Sequence, residues 1–495
     1  MSEQLDPRTP VIIGVGQRSQ RVDRGEPELE PVDLMVEAAR TALEDAGVTD
    51  PSCIDSVRTV SLLSWRYADP GSLVAERLGV GHPVDSAVSA MGGNSPQMLL
   101  NRTALDILAG DTSCALLAGA EAWRTRSKHR AEGGSPPWTK QPEGTAPARE
   151  IGAPVEMSHD AESALGIWLP IQVYPMFEQA HRHHLGRSPE EHQRVLGGLW
   201  SRFSEVAAKN PHAWIQQAMT PEEVTTPSPT NRMVGLPYTK VMNSNNAVEQ
   251  SAAVLVCSVE VAGRLGVPRD RWVFPLAGSD AHEHPYVSHR DSLHTAPAVG
   301  IAGRAALEAA GMSIDEVDHV DLYSCFPVAV EVGAAELGLD LDRQLTLTGG
   351  LSFAGGPWND YVMHAIATMV ETLRADPGST GLIWGNGGFL TKHAFGLYST
   401  EPPAGGFQHR EPQGEIDALP SREVTLDFAG PATVESFTVM HDKDGRPELG
   451  LLALLLDDGR RAWGKTEDAD DLARMVADDV IGERVRREAD GRVRR

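Results

Sequence analysis

The sequence is poor in cysteine: Cys53, Cys114, Cys257 and Cys325 are its only four in 495 residues. They are too few and too scattered for a disulfide framework or a zinc site. Positive charge is also short, with 44 Lys and Arg against 69 Asp and Glu, a formal net charge of −25. Such a balance repels phosphate backbones and excludes general binding to nucleic acid or anionic membranes as an expectation. No uncharged apolar run reaches the roughly 18 residues a membrane span needs. The polar opening MSEQLDPRTP has no hydrophobic signal core. What remains is ordinary globular material, 41% hydrophobic and 23% charged, enough to bury a large core. At ~150 residues per domain it predicts about two to four domains. The expectation is a cytoplasmic, multidomain α/β protein without stable membrane insertion and without a metal.

Along the chain, Val11 to Gly16 reads as a buried strand running into a turn. Asp33 to Gly47 carries Leu34, Ala38, Ala42 and Leu43 at helical spacing and stops on a glycine. Val57 to Leu63 is a second strand, and helix and strand alternate again from Gly71 to Ala122. That alternation predicts a parallel or mixed sheet with helices on its faces. The texture then changes. Arg124 to Ala153 is rich in Gly, Pro and charge and reads as a surface loop. Helices are predicted over Gln172 to His184 and from Ser188-Pro189 to Lys209, and helical spacing resumes from Asn243 to Val267. An excursion of this length is an inserted subdomain of the kind found beside active sites.

The chain repeats itself. Arg40-Thr-Ala-Leu-Glu-Asp-Ala-Gly47 lines up with Arg304-Ala-Ala-Leu-Glu-Ala-Ala-Gly311, and Ile54 to Val60 with Ile314 to Val320. Gly92-Gly93 matches Gly355-Gly356, and each pair leads through a helix to an apolar strand ending at Gly119 or Gly385. The same order of elements at near-constant offset predicts two similar halves. Residues 1–270 form the first, with 124–242 inserted, and 271–402 form the second. After Thr400, residues 403–420 read as a linker. Beyond it, Arg422 to Lys465 alternates like strands, with turns at Asp444-Gly445 and Asp458-Gly459. A helix from Asp470 to about Arg487 and a frayed arginine tail are expected to close the chain. Residues 421–495 thus read as a small β-rich, OB-like domain.

These features resemble the thiolase superfamily: two α/β halves, an insertion, and a glycine pair in each half. The nearest branch is that of the sterol-carrier-protein-type thiolases and the type 1 thiolase-like proteins with an additional C-terminal domain. The likeness runs from Thr9 to Thr400, and is carried best by Ala90–Ala122, Asn243–Gly266, His319–Phe326 and Gly349–Gly388. It implies an α/β thiolase fold, two βαβαβ-type halves in αβαβα layers, with a cleft for the pantetheine arm of CoA.

The resemblance also locates the reactive positions. The family's nucleophilic Cys opens a helix in Cys-x-Ser-Gly; here Gly92 stands in its place, within Met91-Gly-Gly-Asn-Ser-Pro96. The Gly-His-Pro histidine corresponds to Gly356, and the second cysteine, of Cys-x-Gly, to Ile383. Claisen condensation or thiolysis needs a thiolate, a base and oxyanion donors, so the known route is not expected. Ser95 reads as a surrogate nucleophile or, since Pro96 follows it, as a helix cap. Cys325 reads as a packed core thiol. Tyr323, in Tyr-Ser-Cys-Phe, is the catalytic candidate, because a phenol can donate to a thioester oxygen or shuttle a proton; the alternative is a tyrosine that merely lines the cleft. The thiolase-like steroid side-chain aldolases are similar there, with Tyr-Asp-Cys-Phe, although this chain departs at Ser324 and Gly356 and its next tyrosine is Tyr361.

For CoA contact the resemblance points to Ser244 and Asn245, with Asn94, Ser95, Asn359, Asn386 and Gly387 around the cleft. Gly-rich backbone at Asn386-Gly387-Gly388 suits an anion, and a plain tight turn uses the same residues. His181-Arg-His-His184 lacks the clustered carboxylates or cysteines of a metal site. Three functions stay open: a CoA or acyl-CoA binder of lipid metabolism that does not condense, an acyltransferase or C–C lyase using Tyr323, and an interaction protein working through its C-terminal domain. A monomer is favoured over the dimer usual among thiolases.

Overall fold

Buried strands and one-faced helices alternate because each can hide its apolar side only against the other. The computed structural model describes residues 5–494. The first half runs β1 (Pro10–Ser19), α1 (Pro31–Asp45), β2 (Ser56–Thr59), α2 (Pro70–Leu78), β3 (Asp85–Ser89), α3 (Ser95–Ala109) and β4 (Cys114–Ala122). The insertion follows as α4 (Trp123–Ala131), β5 (Arg149–Ile151), α5 (Asp160–Ser163), α6 (Pro170–His184), α7 (Pro189–Lys209), α8 (Pro221–Thr225), β6 (Met233–Gly235) and β7 (Tyr238–Thr239). Ser188 caps α7 through a reciprocal bond with Glu191. The first half ends with β8 (Glu249–Ser258) and α9 (Val259–Arg264). The helix expected from Asn243 is therefore corrected. All ten residues of β8 are buried between β1 and β4, and a strand buried on both faces has no alternation to distinguish it from a helix.

The second half repeats the plan: β9 (Phe274–His282), α10 (Pro297–Ala310), β10 (His319–Leu322), α11 (Pro327–Leu337), α12 (Gly350–Phe353), α13 (Tyr361–Ala375), β11 (Thr380–Gly387) and β12 (Lys392–Ser399). Strand order makes the duplication explicit. The first sheet is β1-β8-β4-β2-β3-β5, and β9-β12-β11-β10 is the same path in the second. Gly47 and Gly311 stop the matching helices in the same left-handed conformation, φ +68° and +69°. Where β3 would recur, the second half has only an extended segment, reached by Leu322 N–H donating to Leu345 O at 2.9 Å. Helices α3 and α13 lie between the sheets, with α1 and α2 outside one and α10 and α11 outside the other. These are the expected αβαβα layers. No helix among the described residues is long and apolar enough to cross a membrane.

Residues 403–420 are not a free linker. They form β13 (Gln408–Arg410), which pairs in parallel with β9, and α14 (Gln413–Asp417). The last domain holds β14 (Gly430–His441), β15 (Pro447–Leu455), β16 (Arg461–Thr466), α15 (Ala469–Ala477), β17 (Arg484–Arg487) and β18 (Val493–Arg494). Its order is β16-β15-β14-β17-β18, and a parallel bridge from Lys465 to Arg492 returns to β16. A five-stranded barrel closed this way, with its helix after the third strand, has the OB arrangement. The helix expected to reach Arg487 ends ten residues earlier, and the arginines continue as strands. Arg484 pairs with Asp457, and Arg487 is buried against the carbonyl of Trp463; Arg495 lies outside the described residues.

The barrel is docked on the insertion and the second half. Leu236 N–H donates to Val439 O at 2.9 Å, and Ser436 Oγ to Met176 O at 2.5 Å. The buried Arg461 guanidinium pairs with Glu435 at 2.6 Å and donates to the carbonyls of Val287, Ser288 and Arg290.

Candidate functional site

Loops from both halves and the start of α6 enclose a cavity of about 410 Å³. Its mouth is apolar and open: Met91, Trp168 and Leu169 are 57%, 59% and 45% exposed. Its walls come from Gly92 and Gly93 ahead of α3, Tyr323 and Cys325 after β10, Asn386 in β11, and the segment before β8.

Three glycines shape the interior by what they leave out. A Cβ placed on Gly92 would collide with Asn94 Oδ1 and lie 2.8 Å from Lys392 Nζ. One on Gly93 would collide with the Tyr323 hydroxyl, and one on Gly356 with Ser244 Oγ. Ser244 in turn donates to Asn246 Oδ1 at 2.7 Å. The space a side chain at 92 or 356 would take is thus filled by Lys392 and by the Ser244–Asn246 pair.

Tyr323 faces this space. It makes no hydrogen bond to another described residue, and burial pushes its phenol far above the usual range, so it stays protonated. Tyr361 does not join it as a second cavity group. Its hydroxyl is held by Thr348 Oγ1 at 2.6 Å and donates to Asp321 Oδ1 at 3.3 Å. Burial pushes the Cys325 thiol up to about 12, which leaves little thiolate at neutral pH.

Other polar atoms around the cavity are buried and unpaired: Trp358 Nε1, Asn243 Oδ1 and Asn386 Oδ1. Buried polar atoms are normally satisfied, so such a set asks for an explanation. Asn386 Nδ2 is bound to the Tyr174 hydroxyl at 3.0 Å, which fixes the direction of its amide. Trp358 sits at φ +49°, a conformation costly for a bulky residue. Lys392 is also buried; it donates to Met91 O, has no ion-pair partner among the described residues, and burial pulls its pKa down.

Of the residues expected at the CoA site, Ser244, Asn359 and Asn386 line the cavity, as does Tyr323. Asn94, Ser95, Asn245 and Gly387 do not line it. Ser95 is not the side-chain cap: Asn94 holds the N-cap position of α3, and Ser95 Oγ donates to Ala90 O at 2.7 Å. Asn245 joins two loops through its backbone, donating to Leu351 O and accepting from Gly356 N–H. Ile383 points into the core, and Asn386 is the β11 residue that reaches the cavity. Lys392 and Trp358 were not anticipated, while Asn243 and Asn246 flank the expected Ser244 and Asn245. The only sequence signal for Lys392 was a lone lysine after a glycine-rich turn.

The His181–His184 run is divided among separate partners: His181 meets His294 O, and Arg182 and His183 meet Asp479. His181 and Arg182 are buried. Where the insertion meets α11, Glu178, His192 and Glu331 converge, but Tyr238 donates to Glu178 and Arg187 to Glu331.

Two duplicated halves in five layers, with a loop-built cavity between them, define a thiolase-like protein. Over 99% of both chains it superposes on the crystal structure of a monomeric SCP2-thiolase-like protein type 1 from Mycobacterium smegmatis, with 32% identity and a TM-score of 0.83. The chain belongs to this SCP2-thiolase-like protein type 1 family. Residues 411–492 match the family described as the thiolase-like protein type 1 additional C-terminal domain. An acetyl-CoA acetyltransferase of Methanocaldococcus jannaschii is 23% identical over 309 residues, 62% of this chain and 70% of the relative. The Ltp2-ChsH2(DUF35) aldolase shares the fold at 19% identity and a TM-score of 0.61, covering 80% of this chain and 99% of its own.

Proposed function

We propose that the cavity binds CoA or an acyl-CoA and does not condense or thiolyse it by the cysteine route. The observation that carries this reading is the unpaired set around the cavity: one donor, Trp358 Nε1, and two acceptors, Asn243 and Asn386 Oδ1. A pantetheine arm presents amide N–H and C=O groups complementary to both kinds. The apolar mouth at Met91, Trp168 and Leu169 suits an acyl chain, since burying such surface is favourable at roughly 25 cal/mol per Å². Against condensation stand Gly92 and Gly356, the crowding around them, and the high pKa of Cys325. This would make the chain a ligand-binding protein of lipid metabolism. The monomeric state named for its Mycobacterium smegmatis relative supports a monomer here.

A second reading is acyl transfer or C–C cleavage with Tyr323 as the proton donor. The free hydroxyl of Tyr323 at the cavity favours it, and the acetyltransferase and aldolase relatives are consistent with it. The third expectation, a docking role for the C-terminal domain, meets a domain whose β14 already pairs with β6 of the same chain. Calorimetric titration with CoA and several acyl-CoAs, with product analysis of the same mixtures, separates the first two. Micromolar binding with intact thioesters supports the binder. Turnover lost in Tyr323→Phe supports the enzyme, and absence of binding overturns both.

A further inference from the structure

We infer that Lys392 is a carbonyl-capturing amine, holding an aldehyde or ketone in this cavity as a reversible imine on Nζ. The inference rests on the cavity being a ligand site, as proposed above, and not on the ligand being a CoA ester.

The geometry begins with the turn from β11 to β12. Gly387 and Lys392 are register partners across it. The lysine stem runs in the space two glycines vacate: its Cε would lie 3.1 Å from a Cβ on Gly387 and 3.0 Å from one on Gly92. A side chain at either position would obstruct it. The stem delivers Nζ to the cavity wall before Gly92, and the next residue, Gly93, has the Tyr323 hydroxyl in front of it.

The electrostatics argue against a structural ion pair. No carboxylate pairs with Lys392 among the described residues, and its one hydrogen bond, to Met91 O, is neutral. Asn94 Oδ1 lies by the end of its stem, and Asn386 and Tyr323 line the same cavity. A buried ammonium without a counter-ion is costly, so the neutral amine is favoured there more than at an exposed lysine. A desolvated lysine amine in an apolar pocket is the usual nucleophile for carbonyl groups.

The step balances without any redox partner. The Nζ lone pair attacks the carbonyl carbon, forming the C–N bond, and one N–H proton passes to the oxygen to give a carbinolamine. Tyr323 donates its proton to that oxygen as the C–O bond breaks, releasing water. The remaining N–H proton of the iminium returns to the tyrosinate. One water is lost per imine formed.

The test is reductive trapping on the full-length protein with hexanal and cyanoborohydride at neutral pH, read by peptide mass spectrometry. The expected result is an alkyl adduct on Lys392 formed at least about tenfold faster than on the exposed Lys140 or Lys443. Lys392→Arg should abolish that adduct while retaining the charge, and Tyr323→Phe should slow it with the site unchanged. Labelling of Lys392 no faster than of surface lysines, in protein that binds acyl-CoA by calorimetry, would overturn the inference and leave the ligand reading intact. Selective labelling in protein that binds no CoA ester would do the reverse. The wild-type measurement decides the matter even if a variant fails to fold.

Discussion

The rings of Tyr323 and Tyr361 meet edge to face, with centroids 5.7 Å apart and planes at 90°. Only one of the two phenols is free. Tyr361 is tied to Thr348 and Asp321, so it acts as a fixed wall that sets the tilt of Tyr323 toward the cavity. Tyr361→Phe removes both bonds and leaves Asp321 short of a donor. We expect it to lower stability by about 1–3 kcal/mol, read by urea denaturation. Its effect on acyl-CoA affinity should be smaller than that of Asn386→Ala, which reaches the cavity itself. The reverse order would mean that Tyr361 contacts the ligand.

Gly92 and Lys392 should be coupled energetically. Adding a methyl at 92 forces the lysine end aside, so Gly92→Ala is expected to cost about 1–3 kcal/mol. In a Lys392→Ala background the lysine's share of that cost should disappear, while the collision with Asn94 Oδ1 and the backbone strain at φ +156° remain. A double-mutant cycle by denaturant unfolding measures the difference. Purely additive costs would show that Nζ does not occupy the space before Gly92. By the same crowding, Gly92→Cys is not expected to confer thiolysis, assayed as CoA-dependent cleavage of a 3-ketoacyl-CoA.

Asp321 makes stability depend on pH. Burial lifts its carboxyl to about 6 from an ordinary 3.8, despite the amides of Leu347 and Thr348 that donate to it. Between these values the folded protein holds a proton that the unfolded chain has released. Its contribution is therefore full below pH 4, falls as pH rises toward 6, and is level above. Asp321→Asn cannot titrate. The difference in Tm between wild type and this variant should shrink, or turn against wild type, as pH rises from 4 to 6.5. A constant difference would mean that the carboxyl is ionised throughout.

The junction at Arg461 should govern how the barrel is held. Its guanidinium is wholly buried, between Glu435 of the barrel and three carbonyls of residues 287–290. Arg461→Ala strands Glu435 without its partner and leaves the carbonyls unpaired, at a cost of about 3–5 kcal/mol. We expect limited proteolysis to cut between residues 401 and 429 in the variant well before wild type. Equal cutting rates would mean that the contact of β14 with the insertion suffices to hold the barrel.

Local signals determined much of this protein. The duplicated helix caps at Gly47 and Gly311, the matched glycine pairs and the alternating apolar strands made the two-halved α/β plan legible, because helix stops and strand periods depend on neighbours in the chain. The barrel was legible through its turns at Asp444-Gly445 and Asp458-Gly459, but its last two strands were not. Their arginines are paired or buried by strands that lie elsewhere in the sequence. Strand β8 was hidden for a related reason, being apolar on both faces.

The site divides in the same way. Tyr323, Asn386 and the glycines at 92 and 356 could be picked out from motif positions. Which atoms stand in front of those glycines was decided only by tertiary structure. Lys392 reaches the carbonyl of Met91 across 301 residues of sequence, and no local pattern records that approach. A glycine shows that space is required, but the group that fills it is chosen by the packing of one half against the other.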